Sequence, residues 1–211
     1  MSGAVFPLLA LSRHRMGTDG VGITTLAAAA GCPLGCKWCI NRDLLSKAKP
    51  ENVTPEEFLE RVRIDDLYFR ATGGGVTFGG GEPLLQADFI KEFKEICPEE
   101  WKITVETSLF VPRNYLAQVI DAVDLFVVDC KDMNEDIYRK YTGEDSSVME
   151  ENLQFLLQRK DAESILVRVP LIPGYNTAED QKKSAEKLRE MGVERLDLFE
   201  YRVINQEKGQ I

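Results

Sequence analysis

The sequence predicts an α/β fold, an open partial barrel of six strands with helices between them. Apolar, β-branched runs alternate with helical patterns from residue 22 to residue 201, which predicts a parallel sheet with right-handed crossovers. With 211 residues and six strands, the chain falls short of a closed eight-strand barrel. Polar residues follow strand after strand, at the ends where α/β folds carry their chemistry. No repeat, low-complexity tract or linker divides the chain, so residues 1–211 read as a single domain.

Residues 22–31, Gly-Ile-Thr-Thr-Leu-Ala-Ala-Ala-Ala-Gly, read as a buried first strand, although four alanines suit a helix equally well by propensity. A cysteine-rich loop follows. Thr54, with Pro55 next and Glu57 three residues on, is a capping box that opens a helix to about residue 70. Residues 73–83, with three glycines on each side of Val76-Thr-Phe78, read as a short second strand between turns. A helix over 86–97, a β-branched strand over 102–107 and a helix over 112–123 come next. Residues 125–129 form a near-continuous apolar strand of the kind buried on both faces. Helices over 135–141 and 148–159 precede a fifth strand over 165–172. Thr177 with Asp180 starts a helix that stops at Gly192, and 195–201 is the sixth strand.

Composition excludes several classes. Lys and Arg number 26 against 35 Asp and Glu, a net charge of -9, which argues against nucleic acid as the main partner because phosphate binding needs clustered positive charge. No apolar run approaches the roughly 20 residues that span a bilayer. Residues 1–12 are apolar but short with no basic residue ahead of them, so a signal peptide is not expected. Free thiols fit poorly with an oxidising compartment, and the expected setting is cytoplasmic and oxygen-poor.

The chemistry concentrates in Gly31-Cys-Pro-Leu-Gly-Cys-Lys-Trp-Cys-Ile-Asn41, where Cys32, Cys36 and Cys39 stand at CxxxCxxC spacing. A closed structural zinc site wants four ligands; with five cysteines and the single His14, no fourth is obvious. Three thiolates on a [4Fe-4S] cluster, normally held by four, leave one iron open to a ligand that does chemistry. A zinc knuckle and incidental free thiols are the alternatives.

This spacing, with Trp38 before the last cysteine, resembles the signature of the radical S-adenosylmethionine (radical SAM) family. That resemblance implies SAM chelating the open iron and reductive cleavage to a 5'-deoxyadenosyl radical, with the protein positioning and shielding the cofactors. It also makes the predicted fold the partial barrel of the radical SAM type. Glycines at 79–81 would let backbone approach SAM closely and offer a carbonyl to its amine. Lys131 and Arg168 would meet its carboxylate. Glu82, Glu106 or Asp129 would accept from the amine or the ribose hydroxyls. Singly, these are turn glycines, surface charges and a cap; their common place after successive strands favours a site.

Over nearly its full length the chain looks like the activating enzymes of glycyl radical enzymes, of the pyruvate formate-lyase activating type. The matching residues are Asp19-Gly-Val-Gly-Ile23, the cysteine loop through Asn41-Arg-Asp43, Gly73 to Glu82 with Leu85-Gln-Ala87, Glu106-Thr107, Asp129-Cys-Lys131 with Met133-Asn134, Arg168 and Pro173-Gly174. The resemblance implies cluster ligands at Cys32, Cys36 and Cys39. It implies a SAM site bordered by Trp38, Cys39, Ile40, Gly80 and Gly81 and completed by Asp129, Cys130, Lys131, Arg168 and Arg202. It also implies a monovalent cation near Glu106, Thr107 and Asp129, with flavodoxin or ferredoxin as reductant and a glycine of a partner glycyl radical enzyme as target. A small-molecule or ribosomal-peptide substrate, and a non-catalytic iron-sulfur electron-transfer module, are the other readings.

The chain departs from the resembled pattern in three ways. Ile40 and Arg202 stand where histidines are usual, which bears on the target more than on SAM cleavage. Only Cys97 and Cys130 remain outside the motif, so an insert carrying ferredoxin-like clusters is not expected, and Cys97 reads as a core thiol. Where the resembled enzymes carry a further helix, this chain ends soon after the sixth predicted strand, which leaves either an open rim or a missing part of the fold.

Overall fold

The computed structural model describes residues 3–201. Its strands are β1 (Phe6–Met16), β2 (Ile23–Ala29), β3 (Glu51–Val53), β4 (Gly75–Gly80), β5 (Lys102–Thr107), β6 (Leu125–Asp129), β7 (Ile165–Leu171) and β8 (Leu196–Glu200). Its helices are α1 (Arg42–Lys47), α2 (Pro55–Val62), α3 (Asp66–Thr72), α4 (Ala87–Ile96), α5 (Arg113–Val119), α6 (Glu135–Thr142), α7 (Ser147–Leu157) and α8 (Ala178–Glu190). All eight strands form one open sheet in the order β3-β1-β2-β4-β5-β6-β7-β8. The six predicted strands are its parallel part, running from β2 to β8 with a helix or helices in each crossover.

The other two strands correct the sequence reading. Phe6 to Ser12, within the stretch read only as apolar, lie in β1, which runs antiparallel to β2 and carries β3 on its far side. β1 alternates weakly and is irregular between Leu8 and Ala10 and between Ser12 and Arg15, so its period-two signal is broken. The alanine run of β2 is a strand because it lies between two others: Ala27 and Ala28 pair with β1 on one side and with Phe78 and Gly79 on the other. Small side chains permit that approach; a Cβ added at Gly80 would stand 2.7 Å from Ala28.

The helix expected over 54–70 is interrupted. α2 begins with the predicted Thr54/Glu57 capping box but yields to a 3-10 turn over Arg63–Asp65 before α3. Asp65 explains the break. It is buried, accepting from Thr25 Oγ1 at 2.7 Å and Arg13 Nη1 at 2.5 Å, so the chain tightens to aim its carboxylate into the sheet. α8 keeps its predicted Thr177/Asp180 box.

The core lies between the sheet and the helices. Phe6 and Phe78 from the sheet meet Phe58, Phe89 and Phe93 from the helices, with ring centroids 5.1–6.3 Å apart. Each of these five is essentially fully buried, and each contributes about 1.5–3 kcal/mol from burial. Cys97 is buried at the end of α4, as a core thiol. On the opposite face, Thr77, Thr104, Glu106, Asp129 and Arg168 alternate with these core residues along β4 to β7. The parallel strands therefore carry a polar wall into their C-terminal edge.

Candidate active site

The loop after β2 is held over that edge by backbone. Gly35 N donates to Thr142 O at 2.8 Å and Lys37 N to Tyr141 O at 3.1 Å, fastening it to the end of α6. Asn41 Nδ2 donates to Gly80 O at 2.8 Å, and Gly81 N and Glu82 N donate to Ala29 O and Gly31 O at 3.0 and 2.8 Å. Trp38 Nε1 reaches Pro173 O at 3.2 Å after β7, and Tyr201 after β8 donates its hydroxyl to Trp38 O. Loops from four strands thus meet on one small area. Gly81 is required there: a Cβ would fall 2.1 Å from Gly31 O.

Cys32, Cys36 and Cys39 line one cavity of about 330 Å³ together with Arg42, Leu45 and Ser46. Arg42 Nη2 donates to the carbonyls of Cys36 and Lys37 at 2.8 Å each. Burial pushes the Cys32 thiol up to about 11 and raises Cys36, which Lys131 pulls back. Uncharged thiols here need a cation to become thiolates. Among the described residues, no three Cys, His, Asp or Glu side chains converge on one metal position. Thiolates on a cubane cluster sit on different irons, so three thiols spread round one cavity fit that group.

Beside the cavity stands the polar wall. Lys131 Nζ lies 3.1 Å from Asp129, and Arg168 Nη1 2.8 Å from Glu106. Arg168 also donates to Thr18 O and approaches Asp197 at 3.8 Å. Burial pushes Glu106 up to about 7, with Asp129 and Asp19 adding to the rise against the pull of Arg168. Burial works against the Lys131 charge, but Asp129 and the surrounding groups hold it above the ordinary lysine value. Gly79 leaves room for this: a Cβ there would meet Glu106 Oε2 at 2.9 Å.

Three of the predicted contacts have their side chains engaged within the protein. Glu82 is buried, and its carboxylate accepts from Leu84 N (3.2 Å), Thr107 Oγ1 (2.7 Å), Ser108 N (2.9 Å) and Ser108 Oγ (2.6 Å). Period two sends Thr107 to the face opposite Glu106, so its hydroxyl serves Glu82. The Cys130 thiol belongs to the core, leaving only its backbone at the edge. Trp38 is partly and Ile40 largely exposed on the loop. Arg202 lies outside the described residues.

The structure adds residues that sequence reasoning left without a role. Asp19 is buried between the strands, bonded to Arg15, and its carbonyl accepts from Thr77 Oγ1 at 2.5 Å. Burial works against the Asp19 charge, and its bonds to Arg15 and Thr18 hold it below the usual range. Its place in Asp19-Gly-Val-Gly-Ile23 was the available signal. Asn41 and Ser108 are polar residues beside motif positions, and only the folded chain shows what they touch.

A family model described as the Radical SAM superfamily matches residues 28–188. The chain belongs to the radical SAM superfamily, and is an enzyme of that class, whose cofactors are a [4Fe-4S] cluster and SAM. Within it, the chain is 30% identical over 195 residues to pyruvate formate-lyase 1-activating enzyme of Escherichia coli strain K12, covering 90% of this chain and 78% of that protein. The similarity to pyruvate formate-lyase-activating enzyme of Clostridium pasteurianum is 30% over 192 residues, 88% of this chain and 78% of that one. The fold matches Streptococcus suis SuiB bound to S-adenosylmethionine with a TM-score of 0.65 at 14% identity, over 83% of this chain and 39% of SuiB. It matches native anSMEcpe with bound AdoMet at 0.64 and 18% identity, over 87% and 52%. The likeness to these two structures is one of fold. Among the described residues, no helix is long and apolar enough to cross a membrane.

Proposed function

We propose that this chain is an activating enzyme whose radical abstracts a hydrogen from the Cα of a glycine in a partner glycyl radical enzyme. The observation that carries this reading is the meeting of three cysteines on one cavity with the Lys131–Asp129 and Arg168–Glu106 pairs at a single sheet edge. The likeness to two pyruvate formate-lyase activating enzymes supports the target.

Cys32, Cys36 and Cys39 would hold the cluster. When bound and reduced, it would give one electron to SAM, yielding methionine and a 5'-deoxyadenosyl radical that takes the glycine hydrogen to become 5'-deoxyadenosine. The chain's part is to bind, orient and exclude water and oxygen. Lys131 and Arg168 supply positive charge for the SAM carboxylate. Trp38, Ile40, Gly80, Gly81, the 129–131 backbone and, by resemblance, Arg202 border the cofactor. The Gly80 carbonyl keeps one lone pair for the SAM amine beside its bond from Asn41.

A flavodoxin or ferredoxin is the proposed reductant, docking at the exposed cysteine loop, in a cytoplasmic and oxygen-poor setting. A monovalent cation beside the SAM carboxylate would take oxygens from Glu106 and Asp129 and would share them with Arg168 and Lys131; exchanging potassium for choline tests it through the SAM Kd. The whole chain acts as one domain in this reading.

The test has two stages. Anaerobically reconstituted protein, reduced with dithionite in the presence of SAM, is expected to release 5'-deoxyadenosine, and a Cys36→Ala control to release none. Mixed with a glycyl radical enzyme of the pyruvate formate-lyase type, it is expected to produce a glycyl signal by electron paramagnetic resonance (EPR). Release of 5'-deoxyadenosine with no glycyl signal would remove the proposed target and favour a small-molecule or peptide substrate.

A further inference from the structure

We propose that Glu82 is a positioning residue rather than a ligand of SAM, and that Ser108 is its working partner: together they bolt the β5 rim to the strand-end glycines beneath the cysteine loop. The inference rests on the reading that SAM binds at this sheet edge, and it concerns what sets the width of that edge.

The residues around Glu82 connect both sides of the site. Its backbone N–H donates to Gly31 O, one residue before Cys32, at 2.8 Å. Its carboxylate, only 1% exposed, holds the N–H and hydroxyl of Ser108 and the hydroxyl of Thr107 at the end of β5. Glu106, one residue before Thr107, faces the polar wall and meets Arg168. One residue therefore joins the two segments, its backbone N–H to the start of the cluster loop and its carboxylate to the end of the strand that carries Glu106.

The hydrogen-bond inventory excludes a second task for that carboxylate. An ionised carboxylate offers about four acceptor positions, and Glu82 fills four with protein donors at 2.6–3.2 Å. A SAM amine would have to displace one of them, in a place the solvent barely reaches. Four bonds to a buried carboxylate form a network whose members fail together when one is cut. Ser108 contributes two of the four and does not belong to the wall, so removing its hydroxyl loosens the bolt without altering any group facing SAM.

The test is a double-mutant cycle of Glu82→Gln and Ser108→Ala in reconstituted holoprotein, read by calorimetric SAM binding and by EPR of the reduced cluster. Positioning predicts that each single variant weakens SAM about threefold to tenfold, and that the double is no worse than the poorer single. In Ser108→Ala the reduced cluster keeps its wild-type spectrum without SAM, and the SAM-induced change appears at proportionally higher SAM. If Glu82→Gln loses SAM while Ser108→Ala stays within about twofold of wild type, Glu82 touches the cofactor and the proposal fails. If Glu82→Gln does not fold, Thr107→Val replaces it in the cycle, with the same non-additivity expected and additivity overturning the proposal. Wild-type protein that loads its cluster but binds no SAM would overturn the underlying reading instead, which keeps the two failures apart.

Discussion

The two sides of the site are built to different standards of burial. On one side, the loop over 30–41 and α1 lie near solvent: Trp38 is 40% and Ile40 73% exposed, and α1 buries no side chain at all. On the other, β4 is buried along nearly its whole length, and the side chains of Lys131, Arg168 and Glu106 are only 14%, 16% and 18% exposed. The loop is attached through backbone and polar bonds to its neighbours, whereas the wall stands on strands whose opposite face is the core. A group that must receive an electron and meet a partner benefits from an accessible support, and the groups that orient a small cofactor benefit from a rigid one.

If the contrast holds, activity and stability separate. Cys36→Ala should remove 5'-deoxyadenosine formation entirely and prevent loading of about four irons per chain, while changing the urea unfolding free energy of cluster-free protein by less than about 0.5 kcal/mol. A loss of several kcal/mol would show that the loop belongs to the fold after all. Phe93→Ala is the converse: Phe93 lies on α4, fully buried in the aromatic cluster and not among the residues that line the Cys32, Cys36 and Cys39 cavity. It should cost about 3–5 kcal/mol in the same unfolding measurement, with the SAM Kd of the folded, reconstituted fraction unchanged.

Gly80→Ala tests the seam between the two sides. Gly80 has φ +89, its carbonyl anchors Asn41, and an added Cβ would stand 2.7 Å from the Ala28 backbone. A cost of about 2–3 kcal/mol is expected from the strained conformation and the clash, together with weaker SAM binding by calorimetry. A variant within 0.5 kcal/mol of wild type would mean that the seam yields more readily than its geometry implies.

The same contrast separates what the sequence displayed from what it concealed. The cysteine spacing, the Thr54 and Thr177 capping boxes and the strand-helix alternation are local patterns, and the structure bears out the boxes and the alternation. What remained hidden depended on distant partners. Whether Ala27 to Ala29 form strand or helix is decided by β1 and β4 lying on either side. The break at Asp65 is set by Thr25 and Arg13, which are 40 and 52 residues away. Thr107 was read as facing the cofactor because it ends a strand, but a strand end offers two faces, and only the register shows which one a side chain takes; the partners that occupy the Glu82 carboxylate lie 25 and 26 residues away. The β1 hairpin, whose Arg15 and Asp19 close one end of the polar wall, lacked a clean alternation because β1 is irregular.

Glu106 gives the finest test of the wall, through pH. Its folded value, raised by burial to about 7 from the ordinary 4.5, means that between those values the folded chain holds more proton than the unfolded one. Unfolding free energy then falls as pH rises through that window, since its slope follows protons bound unfolded minus protons bound folded. Below about 4.5 both states are protonated and above about 7 both are ionised, so the contribution is flat outside the window. Gln cannot titrate. Glu106→Gln should therefore match wild type near pH 5 and gain on it by about 1–2 kcal/mol at pH 8 in urea unfolding of cluster-free protein. That gain requires a buried pair in which Arg168 does not fully offset the desolvation of the carboxylate, as partly buried ion pairs commonly behave. Parallel stability curves for the two proteins from pH 5 to 8 would show instead that Arg168 holds Glu106 ionised throughout, and that the wall is balanced without a proton.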